Sequence, residues 1–208
     1  MPTPIEMLEA RIAQGREYRA MPTVDIAENY TVQGYCTTFN DPYLLYRTEY
    51  GEVWEDVDPH AFDDCDMSDV ILQYDHMGHV YARTRNGTLS IAPDDHGLKI
   101  TAYLGGTEIG RQLYEEIKGE YTDRMSFGFL VGEDSRTVEE NHDTGYVIIR
   151  RTIRKVSKTF DASAVSLPAN NNTDISARSF GDGVIAEARK ELRKRALDKL
   201  NLLLFLED

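Results

Sequence analysis

Three residues of this sequence have the side-chain types that together perform nucleophilic acyl transfer. His76 follows the apolar run Val70–Leu72, at the end of a predicted strand, where a histidine is well placed to act as a general base. Ser126 lies in the run Met125–Phe129, in which bulky and small residues alternate. Asp161 stands near the start of a late strand, from which a carboxylate can orient the distal N–H of a histidine. Because a serine hydroxyl needs a base to remove its proton, Ser126 carries chemistry only beside a histidine in space.

Each of these residues also has a plain structural interpretation, which their types and spacing leave open. His76 would then be a surface or capping histidine, and Ser126 a strand residue bonded to backbone. Asp161 would cap a turn at the start of its strand.

Other reactive groups give weaker patterns. Asp75, His76 and His79 suggest a metal hydrolase, but helical histidine pairs that bind metal stand four residues apart, and this segment reads as strand and loop. Cys65 is a poor candidate nucleophile, since its acidic neighbours raise the pKa of its thiol. We therefore expect neither a metal nor a cofactor.

The elements that must position these residues are mostly strands. Apolar residues three and four apart predict a helix over residues 4–20, and short alternating runs between about residues 24 and 156 predict strands. Asn86-Gly87 is a hairpin signal, and apolar residues four apart predict a helix over 107–119. These patterns divide the chain into an N-terminal helical segment (1–22), a mainly β domain with an internal helix (23–169), a polar linker (170–183) and a C-terminal amphipathic helix (184–208).

Composition excludes several classes of protein. With 23 Lys and Arg against 36 Asp and Glu, the 208-residue chain has a formal net charge of −13, which disfavours direct nucleic-acid binding. Two cysteines are too few for a disulfide-stapled module or a four-cysteine zinc site. The longest apolar run, 202–206, is far shorter than the roughly 20 residues that span a bilayer. We expect a soluble intracellular protein without a membrane partner.

A series of motifs in fixed order resembles one known family. These motifs are GYCTTFN (34–40), EDVDPHAF (55–62), VILQYDH (70–76), ARTRNGTLSI (82–91), DDHGL (94–98), MSFGF (125–129) and DASAVSLPAN (161–170). Together they resemble the prohead (capsid maturation) proteases of tailed phages, which are distantly similar in fold to herpesvirus assemblin. The resemblance spans roughly residues 30–175.

This resemblance implies a fold, an activity and partners. It implies a mainly β (α+β) fold, with an assemblin-like β-barrel, an internal helix and helical segments at both termini. It implies a serine endopeptidase that cleaves scaffold or the scaffolding region of the capsid-protein precursor, and itself, inside the immature capsid in the cytoplasm of the bacterial host. A homo-oligomer is a further expectation, by analogy with assemblin. The basic C-terminal helix would dock on an acidic scaffold or capsid partner, on its own domain or on a second copy.

Carried over by motif, His76 resembles the catalytic histidine and Ser126 the nucleophile. Asp161 falls where the family usually has Glu, one methylene longer. The segment Tyr74–Met77 also departs from the usual Asn-His-Asp, so His79 is an alternative base.

Two points stay open at the level of sequence. Arg150, Arg151 and Arg154 are candidates for the oxyanion hole or for an exposed strand face. A non-enzymatic scaffold or capsid-assembly protein that retains the protease fold is the alternative function.

Overall fold

A computed structural model describes residues 3–22, 24–165 and 175–207 of the chain. In these ranges eleven strands are combined with three α-helices and one 3₁₀ turn. The elements are α1 (Pro4–Ala13), β1 (Arg16–Pro22), β2 (Val24–Ala27), β3 (Thr31–Thr38), β4 (Tyr43–Arg47), β5 (Gly51–Val57), β6 (Ile71–Tyr74), β7 (Met77–Arg83), a 3₁₀ turn (Thr84–Asn86), β8 (Leu89–Pro93), β9 (Gly97–Tyr103), α2 (Glu108–Lys118), β10 (Arg124–Asn141), β11 (Tyr146–Val165) and α3 (Ile175–Glu207).

The strands form two sheets. The larger has the order β1-β10-β11-β5-β4, and β6 and β7 extend it beside the far end of β11; the smaller has the order β2-β3-β9-β8. Strand β11 is antiparallel to β10 but parallel to β5 and β6, so the larger sheet is mixed. The mainly β, α+β class is thereby confirmed. The expected barrel is instead a pair of sheets, because the described strands do not close on one another.

Alternation along β10 separates the core from the opposite face of the sheet. Met125, Phe127 and Phe129 are fully buried in the main hydrophobic cluster, and the rings of Phe127 and Phe129 stack with centroids 4.3 Å apart. Since successive strand residues point to opposite faces, Ser126 and Gly128 project away from these rings. The same strand thus supplies both core and candidate site.

A buried ionic cluster, made of Glu17, Arg19, Glu55 and Arg151, ties β1 to β5 and β11. Arg19 is paired with both carboxylates, and the Arg151 guanidinium lies 2.7 Å from each of them. Burial would raise the pKa of Glu17, but the two arginines outweigh it and lower that pKa to about 2. The cluster therefore holds an N-terminal strand that has little apolar surface of its own.

The helices follow their predicted signals in part. Helix α2 is confirmed; the Thr107 side chain accepts a bond from the Gly110 amide at its start, and Leu113 and Ile117 are buried. The predicted helix over 4–20 ends at Ala13, and residues 16–22 form a strand instead. The division into domains stays a prediction. Residues 166–174, which include part of the predicted linker, lie outside the described ranges, and α3 already begins at Ile175.

Helix α3 packs on its own domain through its first half. Val184 and Ile185 are buried against apolar residues of β4, β5 and β11, whereas Leu197 and Leu200 are mostly exposed. Of the three docking possibilities, contact with its own domain is therefore present. Within the described residues, no helix combines the length and apolar character needed to span a membrane.

Candidate active site

A two-residue hairpin turn presents His76. Tyr74 at the end of β6 pairs with Met77 at the start of β7, and the residues between them, Asp75 and His76, have φ angles of 46° and 60°. Positive φ at both central positions is the geometry of a type I′ turn, which right-twisted hairpins favour. Aspartate and histidine adopt it more readily than most residues. Because Tyr74 lies beside Ala164 of β11, the turn emerges next to the strand that carries Asp161.

Strand pairing brings Ser126 and Asp161 onto one face. Ser126 of β10 lies opposite Ser163 of β11, and Gly128 lies opposite Asp161. The next β10 residue pairs with Thr159, so Phe160 is the extra residue of a β-bulge directly before Asp161. Bulges of this kind re-aim side chains beside active sites.

The three residues form one chain of hydrogen bonds. His76 Nε2 lies 2.7 Å from Ser126 Oγ, and His76 Nδ1 lies 2.5 Å from Asp161 Oδ1. Asp161 accepts hydrogen bonds, so it favours the tautomer with the proton on Nδ1 and leaves Nε2 free to accept from the serine hydroxyl. This geometry can remove a proton from Ser126 as its oxygen attacks a carbonyl.

The His76 and Asp161 side chains are largely shielded from solvent. The exposed fraction is 12% for the His76 side chain and 1% for that of Asp161. The buried ring of Tyr18 packs edge-on against the imidazole, with centroids 4.4 Å apart. A β-carbon at Gly128 would lie 2.6 Å from Asp161 Oδ2 and 2.8 Å from Tyr18 Cε1, so only glycine fits beneath the carboxylate.

Two arginines of the N-terminal segment also reach the site. Arg11 Nη1 donates to the His76 carbonyl oxygen at 2.9 Å, and Arg16 Nη1 lies 3.3 Å from Asp161 Oδ2. The sequence pattern indicates neither arginine nor Tyr18 as a site residue, because it predicts one helix over residues 4–20. The alternation of Arg16 and Tyr18 with Glu17 and Arg19 is compatible with a strand. Because charged residues fall on both faces of that strand, the pattern does not show which face is buried.

The structure places the other sequence candidates elsewhere. His79 is exposed on β7, whereas His76 faces Ser126 and Asp161. Cys65 is half-buried, its Sγ lies 3.5 Å from the Thr159 hydroxyl, and burial raises its pKa. Across residues 3–22, 24–165 and 175–207, no group of three or more His, Cys, Asp and Glu side chains is placed to hold a metal ion.

The three arginines considered for the oxyanion hole pair with carboxylates other than Asp161. Arg151 belongs to the buried ionic cluster. Arg150 pairs with Glu139 and Arg154 with Asp58, and both are about half exposed.

Comparison with known families identifies the family of this chain. The family model described as caudovirus prohead serine protease matches residues 19–184, well over half of the chain and all three residues of the hydrogen-bonded chain. The chain belongs to this family. Membership confirms the resemblance and supports a serine protease role in phage prohead maturation, acting on capsid or scaffold proteins. No curated protein and no solved structure matches the sequence.

Proposed function

We propose that this prohead protease is a serine endopeptidase with Ser126 as nucleophile, His76 as general base and Asp161 as the residue that orients His76. Its substrates would be the scaffold or the scaffolding region of the capsid-protein precursor, and its own chain. It would act within the immature capsid in the host cytoplasm. One observation carries the proposal: the continuous hydrogen-bond chain from Ser126 Oγ through the imidazole to the buried carboxylate.

In the proposed mechanism, acylation begins at Ser126. Ser126 Oγ attacks the scissile carbonyl carbon while its proton moves to His76 Nε2. Asp161 stabilises the resulting imidazolium through the Nδ1–H bond. When the tetrahedral intermediate collapses, the C–N bond breaks, and His76 returns the proton to the leaving amine.

Deacylation uses the same groups. Water attacks the acyl-enzyme ester and gives one proton to His76 Nε2. Collapse of the second tetrahedral intermediate breaks the bond to Ser126 Oγ, which regains its proton from the imidazolium. The product carboxylic acid leaves, and the three side chains return to their starting state.

Intact mass over time tests this function. Wild type, Ser126→Ala and the matched control Ser90→Ala, at an exposed strand serine, are followed alone and with the cognate capsid precursor in assembled shells. We expect wild type and Ser90→Ala to trim the precursor or themselves, and Ser126→Ala to do neither. Equal trimming by Ser126→Ala would exclude this serine as nucleophile. If wild type also leaves every chain intact, the non-enzymatic scaffold alternative is favoured.

A further inference from the structure

The second oxygen of Asp161 has its own cationic partner. Asp161 Oδ1 faces His76 and also accepts from the Ser163 hydroxyl at 3.4 Å, while Oδ2 is 3.3 Å from Arg16 Nη1. A carboxylate with 1% of its side chain exposed has lost its hydration, so its orientation depends on these few protein donors. Arg16 is the charged donor on the side away from the imidazole.

Arg16 is itself held in place by two side chains and by the pairing of its backbone. Its guanidinium lies over the ring of Phe160, 3.6 Å from the centroid, and its Nη1 is 3.4 Å from the hydroxyl of Tyr18. Phe160 is the bulged residue directly before Asp161, and Tyr18 is the residue whose ring contacts His76. Backbone pairing of Arg16 with Leu130 fixes the start of β1 beside β10. The guanidinium therefore bridges the residues that surround the imidazole and the carboxylate.

We infer that Arg16 is a positioning residue for the proposed protease reaction, an inference that rests on the proposed function. By holding Oδ2, it keeps Oδ1 directed at His76 Nδ1 and keeps Nε2 directed at Ser126. Without it, the carboxylate rotates about its terminal bond and the imidazole loses its fixed acceptor. Arg16 does not touch the serine oxygen, so its effect passes through Asp161 and His76.

Labelling of Ser126 by a fluorophosphonate probe measures this effect without a known peptide substrate. The full chain is compared as wild type, Arg16→Ala, Arg16→Lys and the control Arg47→Ala, whose guanidinium is exposed and pairs with Glu52. We expect Arg16→Ala to slow labelling about 10- to 100-fold, the scale on which a misplacement of about 1 Å acts. Arg16→Lys should retain part of the rate because it keeps the charge, and Arg47→Ala should match wild type.

Two further readouts separate positioning from a merely structural role. Methylguanidinium added to Arg16→Ala should restore labelling, because it can occupy the space over Phe160, whereas it should not restore Asp161→Ala. The downfield proton resonance of the His76 Nδ1–H bond should be present in wild type and lost or broadened in Arg16→Ala. If Arg16→Ala does not fold, Arg16→Met takes its place, since methionine keeps an apolar stem but has no hydrogen-bond donor.

The outcomes distinguish this inference from the proposed function. Wild-type labelling in a folded Arg16→Ala or Arg16→Met overturns the inference. Slow labelling also overturns it if methylguanidinium does not restore the rate and the Nδ1–H proton resonance is intact. If His76→Ala abolishes labelling but the Arg16 variants label normally, the proposed roles of Ser126, His76 and Asp161 are supported and only the role of Arg16 is excluded. If His76→Ala labels at the wild-type rate, the proposed catalytic roles of Ser126, His76 and Asp161 are excluded.

Discussion

Gly128 lies where strand β10 passes directly beneath the carboxylate of Asp161, which makes Gly128→Ala a sharp test of the site. The added β-carbon would lie closer than ordinary van der Waals contact by about 0.8 Å at Asp161 Oδ2 and by about 0.6 Å at Tyr18 Cε1. Both neighbours are buried and have little room to move. We expect the carboxylate to be pushed away by nearly 1 Å and its 2.5 Å contact with His76 Nδ1 to be stretched or broken.

Two magnitudes follow for this substitution. A misplacement of about 1 Å costs up to about 10²-fold in rate, so fluorophosphonate labelling of Ser126 should slow by roughly that factor. Overpacking a dense interior costs about 1–3 kcal/mol, so urea unfolding should show a comparable loss of stability while the protein still folds. Activity should thus fall much further than the folded fraction does.

The matched control is Gly106→Ala, where a β-carbon has no neighbour within 4 Å. This variant should label at the wild-type rate and unfold at a similar urea concentration. If Gly128→Ala also labels at the wild-type rate, the position of Asp161 does not depend on the close approach of β10.

Two further predictions concern stability. Because Arg19 and Arg151 hold the pKa of the partly buried Glu17 at about 2, well below its ordinary value of 4.5, the stability that Glu17 contributes is complete above pH 4.5 and is lost as the pH falls towards 2. Urea unfolding of wild type across this window should lose up to about 3 kcal/mol more than Glu17→Gln does, and identical profiles would contradict the ionic role assigned to Glu17. In α3, Ile185→Ala should cost about 2–4 kcal/mol because the side chain is buried, whereas Leu197→Ala, with 60% of that residue exposed, should change stability by less than about 0.5 kcal/mol. Equal losses would mean that both halves of the helix are packed in solution.

Local patterns were sufficient where a segment's own side chains decide its structure. Helix α2 has a threonine cap, a glycine stop and apolar residues four apart, so it was predicted within one residue at each end. Strand β10 shows strict alternation between core rings and small residues around Ser126. Such patterns depend only on neighbours in the chain, so the local structure that they predict is the one found in the folded protein.

Local patterns failed where a distant partner decides the structure. By sequence pattern, residues 16–22 continue the helix α1. They form a strand instead because they pair with β10 and with the buried ionic cluster, whose partners are more than 30 positions away in the chain. Asn86-Gly87 has the stronger hairpin signature, yet it connects the two sheets. The tight hairpin forms instead at Asp75-His76, where β6 pairs with β11.

The amino-acid sequence by itself determined the mainly β class, the family resemblance and the three residues proposed for catalysis. His76 is 50 positions from Ser126 and 85 positions from Asp161 in the chain, so their convergence depends on strand register and one β-bulge that arise only in the folded protein. The roles of Arg16 and Gly128 arise in the same way. A side chain's type sets what chemistry it can do, but the distance and direction to its partners are set by backbone pairing between segments far apart in the chain.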